Sequence, residues 1–150
     1  MSSYVPAALR KLVSERAAGL CEYCLVHEVD TYFGCEIEHI ISEKHGGATT
    51  AENLALACLF CNRFKGTDIA SISTRTGQLC RLFHPRTDRW CDHFSLEGTV
   101  IRPLTEIGEA TAQLLKMNAG DRLLEREALG AMGRYPSAAA AARIKGESAD

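Results

Sequence analysis

The side chains best suited to chemistry lie between residues 21 and 62. Cys21 and Cys24 make one Cys-x-x-Cys pair and Cys58 and Cys61 a second, while Glu38-His39, Asn53 and Asn62 sit between the pairs or directly after them. Two intervening residues let both sulfurs of a knuckle meet one ion, and four soft thiolates close a tetrahedral shell suited to Zn2+. Such a shell leaves no open position, so the ion is structural. The long interval from Cys24 to Cys58 makes it a clamp on two distant parts of the chain, holding the region around residues 38–53. A thiol redox role is disfavoured because neither pair reads as a helix start after a strand of a βαβ unit. Zinc binding by four thiolates changes the local charge by −2, which Arg63 and Lys65 are placed to offset. Cys35, Cys80 and Cys91 have no partner at metal spacing and read as core residues.

The elements that must position these residues are short. A helix is expected over about residues 6–18, with Pro6 at its first turn and Gly19 as its stop. Residues 36–41 alternate polar and apolar, so they read as a strand with Glu36 and Glu38 on one face and His39 on the other. Residues 42–53, with Gly46-Gly47, read as a loop. A brief strand over 54–57 leads to Cys58, and a short helix is expected from Asn62 to Gly66. Residues 78–83 read as a strand after a linker, His84-Pro85-Arg86 breaks it, and residues 94–103 form a hairpin about Glu97-Gly98. Thr105 caps one helix and Asp121 a second. Residues 136–150 turn to Pro, Ser and an Ala run, which reads as a frayed helix or flexible tail.

A chain of 150 residues suits one domain, expected over 1–135 with its chemical core at 19–66. No apolar run reaches the roughly 20 residues of a membrane helix. The N-terminus lacks the basic-then-apolar order of a signal peptide, so a cytoplasmic setting with no membrane partner is expected. In such a reducing setting seven cysteines argue for metal rather than disulfides. The formal net charge is −2, but residues 60–104 carry +3 against −4 before them and −1 after. That basic segment, containing Arg63, Lys65 and Arg86, could meet phosphates while the whole chain stays mildly acidic.

Taken together, Glu38-His39, Asn53 and Asn62 inside paired Cys-x-x-Cys knuckles resemble the HNH endonuclease family in its four-cysteine zinc form. The wording E-H-I-I, H-G-G, N-L-A-L-A-C-x-x-C-N and K-G is close to the motif over about residues 19–66. The resemblance implies an α+β fold: a small ββα-metal (His-Me finger) core clamped by the four-cysteine zinc site, with an N-terminal helix and a C-terminal β-hairpin and helices. It further implies a DNA phosphodiesterase in which His39 is the general base, Glu38 and Asn62 hold a catalytic Mg2+ or Mn2+, and Asn53 tethers the loop that aims the histidine. The acidic position holds Glu where Asp is commoner, which lengthens the reach by a methylene. His45, Arg63, Lys65 and Arg86 are the candidate substrate contacts. His84 and His93 read as packing residues and His27 as incidental. The rival reading is a zinc-stabilised nucleic-acid- or protein-binding module without catalysis. Against it stands the joint presence of Glu38, His39, Asn53 and Asn62, which such a module has no physical need for.

Overall fold

The computed structural model describes residues 4–147. Helices and short antiparallel ribbons alternate, an α+β arrangement. After α1 (Ala7–Arg16) come β1 (Cys35–His39), β2 (Leu54–Cys58) and α2 (Leu59–Lys65). Next are β3 (Ala70–Ile72), β4 (Leu79–Arg81), the single turn α3 (Trp90–His93), and β5 (Phe94–Glu97) with β6 (Val100–Pro103). Three helices close the chain: α4 (Glu106–Leu114), α5 (Gly120–Ala131) and α6 (Ala138–Lys145). Each sheet is a two-stranded antiparallel ribbon, β1–β2, β3–β4 and β5–β6.

The β1–β2 ribbon positions the chemistry. Its register sets Glu36 opposite Ala57, Glu38 opposite Ala55 and His39 opposite Leu54. Period-two alternation sends Cys35 and Ile37, with Leu54 and Leu56, to a face that packs on Val5, Val13 and Ala17 at and around α1. The other face carries Glu36 and Glu38 opposite small alanines, and α2 lies over it. A second, larger apolar cluster joins the first cysteine knuckle to Phe83, Trp90, Phe94, Ile101, Leu115, Met117 and Tyr135. The cysteine knuckles are therefore covered by the C-terminal half of the chain.

Several expectations are corrected. α2 begins at Leu59, not Asn62, because Cys58 Sγ accepts the backbone N–H of Cys61 at 3.5 Å and caps the helix. The second cysteine pair thus does open a helix after a strand, but that strand belongs to an antiparallel ribbon and not to a βαβ unit. The stretch before residue 78 is no simple linker, since residues 70–72 pair with 79–81. Asp121 lies inside the first turn of α5, whose N-cap is Ala119. The expected flexible tail is a docked helix as far as it is described. Ser137 caps α6 by accepting from Ala140 N at 3.2 Å, Ala140 is fully buried, and Gly146 ends the helix at φ +78°. Residues 148–150 of that expectation lie outside the described residues. Thr105 caps α4 as expected, accepting from Gly108 N at 3.0 Å.

Candidate metal centre and active site

Cys21, Cys24, Cys58 and Cys61 are all buried, with their sulfurs within 4.8 Å of one another. The Cys24 and Cys58 sulfurs stand 3.8 Å apart, the edge of a tetrahedron whose centre lies about 2.3 Å from each sulfur, the Zn–S distance. The donor set fits zinc. Its charge is offset by neither Arg63 nor Lys65, but by Arg122 of α5. That guanidinium is 4% exposed, lies 3.1 Å from Cys61 Sγ and 3.9 Å from Cys58 Sγ, and also donates to Leu115 O at 3.0 Å. Burial disfavours its charge, but the sulfurs of Cys61, Cys24 and Cys58 outweigh burial and hold its pKa above the usual arginine range. Two aromatic side chains fix the knuckle backbone from outside: Trp90 Nε1 donates to Tyr23 O at 2.9 Å and Tyr135 Oη to Cys24 O at 2.9 Å. Cys35, Cys80 and Cys91 are half-buried, at the margins of the core and not inside it.

The residues inside the first knuckle face two ways. Glu22 is fully buried, pairs with Arg86 of the 82–89 loop, and has Arg143 of α6 at 3.7 Å. Tyr23 turns to the ribbon and donates its hydroxyl to Glu38. Neither role has a signal at the level of spacing, beyond the oddity of a Glu and a Tyr inside a metal knuckle.

That contact places Glu38 in a buried network. Its carboxylate is 5% exposed, bonded to Tyr23, and 3.6 Å from Lys65 Nζ, an ion pair longer than a hydrogen bond. Burial lifts its pKa above the ordinary carboxylate range, against the opposing pull of Lys65 and Tyr23. Lys65, expected as a substrate contact, is itself 2% exposed and donates to Ile40 O at 2.8 Å. The partner of Asn62 is not Glu38 but Glu36, whose Oε2 accepts from Asn62 Nδ2 at 2.8 Å. Asn62 and Lys65, one helical turn apart, thus face Glu36 and Glu38, two residues apart on β1.

His39 lies on the opposite face of β1, as the alternation predicts, with its Nε2 2.8 Å from Thr49 Oγ1. It lines an open cleft of about 580 Å3 between α1 and the ribbon, shared with Arg10, Ser14, Glu28 and Glu36. Asn53 staples the loop that follows: its Oδ1 accepts from Ile41 N at 2.9 Å, and its Nδ2 donates to Ile41 O at 2.8 Å and Ala48 O at 2.9 Å. Gly47 is required there, since a Cβ would come 1.7 Å from Ile41 O. Thr49 is a partner of His39 that the sequence does not announce. His45 and Arg63 are exposed, whereas the Arg86 side chain is 11% exposed and engaged by Glu22. His93 stacks edge-on to Phe83 and bonds Thr105 Oγ1 at 2.7 Å, a packing role. His27 caps a 3-10 turn (Glu28–Asp30) by accepting from Val29 N.

The family profile of the HNH endonucleases matches residues 21–68, from Cys21 to just beyond α2. Residues 21–68 are similar to an HNH endonuclease domain. The four-cysteine cluster fits the zinc-containing form of that domain, and an HNH domain implies nuclease-type or nucleic-acid-related work. No curated protein and no solved structure matches the chain. Around the HNH domain, no helix among the described residues is long and apolar enough to cross a membrane.

Proposed function

We propose that the chain is a metal-dependent endonuclease that hydrolyses DNA phosphodiester bonds in the cytoplasm, with His39 as the general base. The observation that carries this reading is His39 itself, set in an open cleft of the HNH domain with one ring nitrogen bonded to Thr49. With Nε2–H donated to the Thr49 hydroxyl, Nδ1 keeps its lone pair and accepts a proton from the attacking water. Histidine suits this step because its ordinary pKa lies near neutrality. Asn53 acts as a positioning residue: its bonds to Ile41 and Ala48 hold the loop that delivers Thr49 to the ring.

The carboxylate–amide face between β1 and α2 suits a hard divalent cation, Mg2+ or Mn2+, since it offers oxygen donors from Glu36 and, after rotation of its amide, from Asn62. When bound, such an ion stabilises charge on the phosphate and on the departing 3′ oxygen. Zn2+ in the four-cysteine site holds the scaffold and takes no part in the reaction. Exposed His45 and Arg63 supply phosphate contacts. The product keeps the phosphate on the 5′ side, as in the family that the motif resembles.

Supercoiled plasmid incubated with the zinc-loaded protein and Mg2+ or Mn2+ tests this reading. Nicking is expected, with His39→Ala slower by about 10²–10⁴-fold at unchanged zinc content. Equal nicking by His39→Ala would remove the histidine as base. Salt-sensitive retention of DNA with no cleavage under either metal would assign the chain to the non-catalytic module instead.

A further inference from the structure

We infer that Glu36, and not Glu38, is the carboxylate that this chain presents to the divalent cation, with Asn62 as its neutral partner. The inference rests on the nuclease reading above and assigns the cation a different residue from the one the motif points to. Glu36 and Glu38 share a face of β1 but differ in depth. Glu36 is exposed and Glu38 almost wholly buried. Mg2+ and Mn2+ sites of this kind keep several waters, so the carboxylate they use must be reachable by a hydrated ion. Glu36 meets that need and Glu38 does not.

The partners of the two carboxylates lead to the same assignment. Glu38 is charge-balanced by Lys65 and bonded by Tyr23. Turning it toward a cation would strand a lysine that is 2% exposed and has no other acidic partner among the described residues. Among the described residues, Glu36 has only the Asn62 amide at 2.8 Å. Rotating that amide about its last torsion replaces an NH2 donor by a carbonyl oxygen, turning a hydrogen-bonded pair into two oxygen donors a few ångströms apart. Glu36 also lines the cleft that holds His39, and Glu38 does not. The base and the exposed carboxylate therefore border one open space. Glu38 is a positioning residue that anchors β1 to α2 through Lys65.

Binding of Mn2+ to the zinc-loaded full chain, read from the paramagnetic resonance signal of free Mn2+, tests the assignment without relying on cleavage. Three proteins are compared: wild type, Glu36→Gln, and the paired core variant Glu38→Gln with Lys65→Met. Zinc content and thermal unfolding report the fold of each. The expected result is at least about a tenfold loss of Mn2+ affinity in Glu36→Gln and near-wild-type affinity in the paired variant. Unchanged affinity in Glu36→Gln would overturn the assignment and leave the nuclease reading standing. Loss of affinity in a paired variant that is folded and zinc-loaded would also overturn it. If the paired variant does not fold, Glu36→Gln decides alone, since the substituted side chain is exposed. Absence of Mn2+ binding by wild type would overturn the assignment together with the metal-dependent reading, and the plasmid assay would then report no cleavage as well.

Discussion

Glu38 and Lys65 form an ion pair almost out of water, and such pairs are strongly asymmetric in what their loss costs. Lys65→Met leaves a buried carboxylate facing only Tyr23, and a destabilisation of about 3–5 kcal/mol is expected. Adding Glu38→Gln to that variant should recover most of the loss, because the uncompensated charge is gone. Urea unfolding of the single and paired variants checks both statements; equal stability of the two would mean that the pair does not carry its charge in the folded state. Asn53→Ala is expected to leave zinc content intact while lowering cleavage about tenfold or more, since the loop carrying Thr49 loses its staple. Plasmid nicking against metal analysis of the same preparation measures this. At this scale the sequence reveals kind and face but not depth. The four-cysteine cluster is legible from type and spacing, and strand alternation correctly separates His39 from the two glutamates. Alternation says nothing of which glutamate a lysine covers. The sign is nevertheless present: Lys65 follows Asn62 by one helical turn, so both must meet the same face of β1.

Among the elements, α6 departs furthest from its sequence reading. An alanine run between Pro136 and Gly146 looks like low-information sequence, yet it contains a start signal, strong helix formers and a left-handed stop. The packing that settles it is tertiary: Ala140 is fully buried, Arg143 donates to Arg16 O at 3.1 Å, and Arg89 donates to Gly146 O at 2.6 Å. Ser137→Ala is expected to cost about 1 kcal/mol, read as a lowered unfolding midpoint. A midpoint unmoved by that change would mean that the cap does not matter to the fold. The β3–β4 ribbon is half legible. Its second strand carries a recognisable run, but the first is a three-residue edge pairing that no periodicity can reveal. The late start expected for α2 treats Cys58 as a ligand alone, whereas its sulfur also serves as a helix cap.

For the molecule as a whole, the four-cysteine site links the HNH-like segment to everything after it. Removing zinc with a chelator is expected to unfold the chain cooperatively, because the free energy of binding the ion is part of what holds the two knuckles together. Far-UV circular dichroism during chelation checks this, and a retained spectrum after complete zinc removal would contradict it. Arg122→Leu is expected to weaken zinc retention, measured by competition with a chromogenic chelator, because it deletes the only guanidinium bonded to the sulfurs among the described residues. The resemblance to HNH nucleases locates the centre of the molecule but nothing of this dependence, which joins residues more than sixty positions apart.

The outward-facing bonds of the first knuckle also decide how portable the HNH domain is. Trp90, Tyr135, Arg122, Arg86 and Arg143 all reach back to residues 22–61 from beyond residue 68. A fragment cut at the limits of the family match would bare the apolar side of the knuckle and strip Glu22 of both arginines that pair with it. The boundaries of the recognisable motif are therefore not the boundaries of an excisable unit. Grafting this core onto another protein would require carrying its C-terminal half along.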